Sequence, residues 1–484
     1  MSSAPQAPAG PPALEEPQRL RRGSLRLVDI AAATMANIGP AMSFYFGFAF
    51  LAETAGVASP LTLIAAGIAI ALLGNTLSQF SRAHPSAGGF ITFVGKSFGP
   101  TAAVTTAILA GLGYIIAMGS VIAISGGFLE TTLDYYFHLD VPWIVWTACF
   151  TALAVAMMIR GISVSTKLAG FFFGVEMLVL VVVSVVAIAR HGGHLSAAPF
   201  EPSHLSGGFT GLFQGFPLAI YLFIGWENSA ALAEETENPR RNVGRAVFLS
   251  IAMMVLGYLL FAYATVTGFG YDVKSLAAAP IPFISVAHGS LGVLVFFAYL
   301  AGLTSTVGAL IAGTNSQARL VFNAGREGLL PSIVGRVDPK RQTPVWALCT
   351  FVGVSLLIMG GWALGHLLGH GRMDAEVFFS ESSTMGTILV LLVYLASNLA
   401  LPVFYRRYRP EEFRWLKHGV LPVLGAAAIV VPLYYLAKPG QPTPFDWFPW
   451  AALAVLAGAL VYALVLTRRD PTLGDRVGSL VADE

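Results

Sequence analysis

The sequence predicts an all-α, polytopic membrane protein of about twelve spans, and three observations predict it. The first is composition: 56% of the 484 residues are hydrophobic and only 11% are charged, where a soluble domain carries about 25% charged residues. The second is arrangement. Apolar runs of roughly 20 residues recur, which at about 1.5 Å rise per residue matches about 30 Å of hydrocarbon. The strict alternation of barrel strands is not found, so helices must satisfy the backbone inside lipid. The third is charge placement. Of the 28 Lys and Arg, all but Arg190, Lys274, Arg372 and Lys438 fall on one side of the spans. The positive-inside rule makes that side cytoplasmic. Both ends of the sequence lie there, which demands an even number of spans, as expected of a multi-pass protein of the inner plasma membrane.

The expected spans are 28–53, 60–81, 98–128, 141–160, 164–189, 209–232, 244–270, 282–322, 344–362, 376–402, 416–437 and 446–467. Pro60, Pro142, Pro282 and Pro344 stand at or near helix starts, where a missing N–H costs least. Residues 1–27 are expected to form a disordered cytoplasmic tail that ends in a basic juxtamembrane patch, Arg19 to Arg26. Residues 468–484 are expected to form a short cytoplasmic tail, and 28–467 the transmembrane domain. Cys149 and Cys349 are the two cysteines. Neither belongs to a CxxC pair, and both are expected to be buried free thiols.

Two spans carry interruptions. Ile38-Gly39-Pro40-Ala41 lies inside the first, and Phe223-Ile224-Gly225-Trp226-Glu227 inside the sixth. Gly and Pro weaken a helix, and the backbone groups they free in a membrane need partners. Matched interruptions in two halves of a membrane protein point to a midplane binding site.

Three longer stretches carry a family resemblance. Pro85-Ser86-Ala87-Gly88-Gly89-Phe90, with Phe98-Gly99 after it, lies between spans 2 and 3. The span 6 interruption runs on into Ala233-Glu234-Glu235-Thr236-Glu237-Asn238-Pro239-Arg240-Arg241-Asn242-Val243. Asn315, Arg319, Arg326-Glu327-Gly328-Leu329-Leu330-Pro331 and Thr343-Pro344 follow the middle of span 8. Together these resemble the amino acid–polyamine–organocation (APC) permeases. The likeness runs from Val28 to Arg469. It implies a LeuT-type fold: two inverted halves of five helices (28–190 and 209–402), two peripheral helices (416–467), and alternating access.

The resemblance also implies a substrate site. The start of a half-helix offers N–H groups suited to a carboxylate, and the end of one offers carbonyls suited to an ammonium. Carried over from the family, the carboxylate would meet the backbone around Ile38, Gly39, Ala41 and Met42. The amine would meet carbonyls around Phe223, Ile224 and Gly225. Tyr221 and Trp226 stand at the family's aromatic positions, with Tyr114 and Met118 on span 3 as further pocket candidates. One departure matters: Pro40 stands where the family often has a small residue and offers no N–H. Part of the anion cradle is therefore missing, and an amine such as a polyamine or ethanolamine stays open beside an amino acid.

A carboxyl in mid-membrane is costly, so Glu176 reads as functional. It lies about 18 Å into span 5; in proton-coupled relatives a Lys stands at this place. Glu227 matches the family's span 6 Glu and is expected to pair with backbone across the break. Ala301-Gly302-Leu303-Thr304-Ser305 resembles the sodium-binding stretch of neurotransmitter:sodium symporters. Thr304 and Ser305 hydroxyls beside the Glu176 carboxylate would be oxygen ligands for sodium. Coupling to protons, coupling to sodium, and exchange all stay open.

Other classes are disfavoured. No clustered nucleophile and base or metal set falls within the spans, so neither an enzyme nor a metal site is expected. No P-loop lysine motif indicates ATP drive, and no cofactor is expected. No charged ring or pore repeat indicates a channel. The cytoplasmic clusters Arg240-Arg241 and Arg336, Lys340, Arg341 read as topology-setting charges that could pair with Glu234 and Glu235 as an inner gate. Nucleic acid is not an expected partner; the lipid bilayer and a small molecule, an amino acid or amine, are.

Overall fold

Each expected apolar run closes into helix. The computed structural model describes residues 20, 23–139, 141–159, 162–369 and 373–479. Of the tail expected over 1–27, residues 1–19, 21 and 22 lie outside them, as does Arg372. Among the described residues there is no β-strand, only three isolated bridges.

In chain order the helices are α1 (Leu27–Ile38), α2 (Pro40–Ala55), α3 (Ser59–Ala83), α4 (Phe90–Phe98), α5 (Pro100–Phe137), α6 (Trp143–Ile159), α7 (Ile162–Arg190), α8 (Phe209–Tyr221) and α9 (Asn228–Ala231). They continue with α10 (Pro239–Gly268), α11 (Val273–Ala278), α12 (Pro282–Leu291), α13 (Phe296–Arg326), α14 (Val345–Gly369), α15 (Ala375–Tyr408), α16 (Leu421–Ala437), α17 (Phe448–Arg469) and α18 (Leu473–Arg476). Ten described segments are long and apolar enough to cross a membrane. The two remaining expected spans are shorter: α6 has 17 residues, and span 6 is split into α8 and α9. Span 3 extends past its expected end to Phe137. Span 8 is jointed, with Gly292 at φ 58° between α12 and α13.

Both interruptions are real breaks. Gly39 ends α1 and starts α2 at φ 61°, a left-handed conformation that glycine adopts without steric cost. Pro40, at the first position of α2, loses nothing there because that N–H has no intrahelical partner. Between α8 and α9 the chain passes through turns, with Gly225 at φ 107°.

Packing places the breaks centrally. The broken helix α1 packs on α7, α10 and α13, while α2 packs on α8 and α13. Around them α5 runs along α15, α10 along α3 and α13 along α7. The outward faces are apolar, as lipid requires: Leu178, Leu256, Leu357 and Val461 are exposed. Cys149 and Cys349 correct an expectation, because both are exposed. An apolar run in a membrane helix has a lipid-facing side as well as a buried one, so residence in the run does not imply burial.

Glycine at the second break is a steric necessity. A Cβ on Gly225 would stand 2.7 Å from Asn37 Nδ2, at a positive φ as well. Gly225→Ala should therefore lower the thermal stability of the purified full-length protein by the equivalent of about 1–3 kcal/mol. Gly458→Ala on α17, where nothing lies within 4 Å of the added Cβ, should leave it unchanged or slightly raised. Equal unfolding temperatures for the two variants would contradict the assignment.

Candidate functional site

The break in the first span has its free polar groups matched one by one. Of the first N–H groups of α2, Pro40 has none. Ala41 donates to Glu176 Oε2 at 3.3 Å, Met42 donates to Ser305 Oγ at 3.2 Å, and Ser43 donates to the Gly39 carbonyl at 2.8 Å. Ser305 also lies within hydrogen-bonding reach of Glu176. A carboxylate on a helix start is favoured by the N–H groups and by the helix dipole, by up to about 2 kcal/mol where partly buried. At the positions expected to cradle an anion, Ile38, Gly39, Ala41 and Met42, the protein's own carboxyl and hydroxyl take the Ala41 and Met42 N–H groups. This corrects the picture of an open cradle: a Cβ on Gly39 would meet Ala309 Cβ at 3.1 Å and Ser305 Oγ at 3.4 Å rather than empty space.

The second break is matched in the same way. Tyr258 donates its hydroxyl to the Leu222 carbonyl at 2.7 Å, and Asn37 Nδ2 donates to the Gly225 carbonyl at 3.4 Å. Glu227 takes the Gly225 N–H on Oε2 at 3.2 Å and the Tyr114 hydroxyl on Oε1 at 2.7 Å. Glu227 therefore pairs with the Gly225 backbone N–H inside the break, and Tyr114 acts on Glu227. The Phe223 carbonyl accepts from Trp226 N–H at 3.1 Å. Among the described residues no donor reaches the Ile224 carbonyl. On the first span, Ser43 Oγ caps the Ile38 carbonyl at 2.7 Å.

A cavity of about 520 Å³ descends from the face opposite the N-terminal segment. Its walls come from α2 (Phe46, Phe50), α8 (Pro217, Leu218, Tyr221) and α15 (Phe379, Ser380, Ser383, Thr384), with the 277–280 and 441–445 segments at its mouth. Its lining includes Tyr221, the last residue of α8, and Phe46, seven residues and so about two turns past Gly39. Phe379 closes against both, at ring-centroid distances of 6.0 Å and 5.8 Å. Of the expected substrate residues, Tyr221 lines this cavity. Ile38, Gly39, Ala41, Met42, Phe223, Ile224 and Gly225 are not among the described residues that line it. Trp226 is fully buried and packs on Phe90 and Tyr394, at 6.2 Å and 5.6 Å. Met118 is also buried. Of the sodium candidates, Ser305 reaches Glu176, whereas Thr304 directs its hydroxyl to the Leu300 and Ala301 carbonyls of its own helix, both at 3.1 Å.

Beyond the breaks lies a polar but tight region. Asn228 and Gln317 meet Asn37, Glu227 and Tyr114 around a void of about 20 Å³, room for about one water. Among the described residues, both amide atoms of Asn228, the Ser229 hydroxyl, the Thr314 hydroxyl and Gln317 Oε1 are buried without a partner. Such atoms are costly unless they serve a ligand or a second conformation.

The face past this region is shut by ion pairs. Arg319 grips Glu235 with bonds of 2.5 and 3.1 Å, both side chains fully buried, and also donates to the Asn315 carbonyl. Arg326 grips Glu234 at 2.8 and 3.2 Å. Glu234 and Glu235 thus pair with arginines of α13, in place of the expected Arg240, Arg241, Arg336, Lys340 or Arg341. The segment before α1 adds a strap, since Leu25 exchanges backbone bonds with Glu235 and Glu237, and Leu20 N–H bonds Glu234 Oε1. The segment around α18 docks beside it. Gly478 donates to Glu327 Oε1 at 3.0 Å and Arg476 to the Glu327 carbonyl at 3.3 Å.

Sequence reading missed Asn37, Ser43, Tyr258 and Phe379. Asn37 carried a signal, a carboxamide two residues before a break in an apolar run. Tyr258 and Phe379 carried none that separates them from ordinary packing.

Residues 25–460 match the family model described as "Amino acid permease". The branched-chain amino acid permease BcaP of Bacillus subtilis is 25% identical, over 85% of this chain and 86% of its own. The methylthioribose transporter of the same organism is 24% identical, over 85% and 87%. Cationic amino acid transporter 4 of Mus musculus is 24% identical, over 72% of this chain and 56% of its own.

Two tests follow from the closed face. Arg319→Met leaves Glu235 buried and unpaired and should destabilise the protein by about 3–5 kcal/mol, while the Arg319→Met, Glu235→Met double variant recovers much of that loss. A double variant no more stable than the single one would contradict the pairing. Burial pushes the Glu327 carboxyl up from 4.5 to about 7. Because the docked form holds its proton more tightly, docking is strongest below about pH 4.5 and weakens as pH rises through about 7. Hydrogen exchange in 473–479, corrected for intrinsic rates, should speed up between pH 5 and 8, and a flat profile would contradict this linkage.

Proposed function

We propose that this chain, which belongs to the amino acid permease family, is a secondary transporter of amino acids, with proton-coupled uptake through Glu176. The observation that carries the reading is the Glu176 carboxylate on the start of α2. A substrate carboxylate needs the same Ala41 N–H. Glu176 and substrate therefore compete for one position, and a Glu176 that has taken up a proton gives that position up. Proton binding and substrate binding would then be coupled within one site, with the Ile224 carbonyl and the Tyr221 ring as partners for the ammonium.

The access route supports alternating access. The 520 Å³ cavity reaches Phe46, Tyr221 and Phe379 from one face while ion pairs shut the other. In this reading the cavity face is extracytoplasmic and the ion-paired face cytoplasmic, in keeping with the arginine and lysine bias. Opening inward would separate Arg319 from Glu235 and expose Asn228, Ser229 and Gln317, whose unpartnered polar atoms suit a polar exit path. The two breaks suit an inverted 28–190 and 209–402 repeat, with 416–467 outside it.

A second reading has a specific observation in its favour. Every N–H at the start of α2 already has a protein partner, and Pro40 has none to give. A substrate without a carboxylate, such as a polyamine or ethanolamine, would leave Glu176 in place as its counter-ion. Sodium coupling would use Ser305 and Glu176, and exchange would need no ion.

The experiment is uptake by purified protein in liposomes. Radiolabelled amino acids and amines are offered with an inward proton gradient, an inward sodium gradient, or neither. Wild type should accumulate an α-amino acid under the proton gradient, and Glu176→Gln should lose at least about tenfold of that accumulation while still binding substrate. Wild-type accumulation by Glu176→Gln would contradict the coupling role. Accumulation of amines alone would select the second reading.

A further inference from the structure

The face that carries the N-terminal segment has a concavity of about 1010 Å³, away from the breaks. It lies between the end of α3, the start of α10 and the junction of α15 with α16. Arg82, Arg240, Arg241, Arg245, Arg409 and Lys417 line it, with Glu412 as its carboxylate. Glu412 is taken by Arg409 at 2.8 Å. Among the described residues Arg82, Arg241, Arg245 and Lys417 form no ion pair. An adjoining cavity of about 390 Å³ shares Arg82, Glu412 and Lys417 and adds Arg414.

Charges that only orient a membrane protein need lie on the right face and need not converge. Here three separated chain segments bring cations around one hollow, where their mutual repulsion is relieved only by an anion. Exposed apolar side chains lie in and beside the hollow. Phe248, one of its walls, is 42% exposed, and Trp415 and Leu416, just before Lys417, are 70% and 60% exposed. Arg82 is in the last turn of α3, and Arg240 and Arg241 are in the first of α10. The cations therefore sit at the level of helix ends, where phosphates lie, while Phe248, about two turns beyond Arg241 in α10, lies deeper, at the level of acyl chains. Basic pockets between membrane helices on this side suit phospholipid head groups.

We propose that this groove binds the phosphodiester head group of an anionic phospholipid, whose acyl chains lie against Phe248. A lipid seated there ties α3 and α10 to the α15–α16 junction.

The test is native mass spectrometry of delipidated full-length protein titrated with phosphatidylglycerol, with phosphatidylcholine, and with phosphatidylglycerol plus inorganic phosphate. Two variants are compared with wild type. One is the groove triple R241Q/R245Q/K417Q, and the other is a triple from the exposed loop on the same face, R336Q/K340Q/R341Q. Wild type and the loop triple should retain phosphatidylglycerol, the groove triple should bind it at least about tenfold more weakly, and neither phosphatidylcholine nor millimolar phosphate should replace it. Equal losses in the two triples would mean diffuse charge and overturn the site. Equal binding of the two lipids, or displacement by inorganic phosphate, would overturn the choice of lipid head group. Should the groove triple not purify folded, Arg245→Gln alone should weaken phosphatidylglycerol at least about threefold, and unchanged binding would overturn the proposal. None of these outcomes depends on which substrate the protein carries.

Discussion

The contact on which the centre of the molecule depends is the one between the Glu176 carboxylate and the start of α2. A helix broken in mid-membrane leaves N–H groups that water cannot satisfy. Here an acidic side chain from a neighbouring helix satisfies them, with Ser305 from a third. One carboxyl thereby joins α2, α7 and α13. In the proposed function the same position takes the substrate carboxylate, so an event that frees Glu176 would free the site and loosen the junction of three helices together.

The asymmetry of the two faces follows from different chemistry. One side ends in an aromatic layer, Phe46, Tyr221 and Phe379, whose contacts are non-directional and can part at low cost. The other ends in two arginine–glutamate pairs, backed by backbone bonds from the segment around Leu25. Opening a fully buried pair requires both partners to regain solvent or new partners together. The two arginines come from one helix, seven residues and so about two turns apart on the same face, while Glu234 and Glu235 are adjacent. That geometry makes the closure cooperative, because movement of α13 against the 233–237 segment breaks both pairs at once.

Much of this was legible in the sequence, and the limits have physical causes. The breaks were legible because Gly39, followed by proline, and Gly225 interrupt two apolar runs five spans apart, a matched pair. Glu176 stood out because a carboxyl in such a run is expensive. That Glu176 seats itself on α2 was not legible, since the bond joins residues 135 apart in sequence and depends on which helices become neighbours. The gate glutamates were visible in their acidic stretch, but local spacing pointed to the nearby Arg240 and Arg241 in place of Arg319 and Arg326, 84 and 92 residues away. Cys149 and Cys349 were misplaced because hydrophobicity in a membrane span does not separate a lipid-facing residue from a buried one.

The most direct measurement of the central claim is an infrared difference spectrum of the protein in lipid, recorded on adding a transported amino acid. If substrate displaces Glu176 from the start of α2, the carbonyl stretch of a buried carboxyl changes on binding, and that band is absent from Glu176→Gln. A spectrum with no carboxyl change, or one that persists unaltered in Glu176→Gln, would contradict the account.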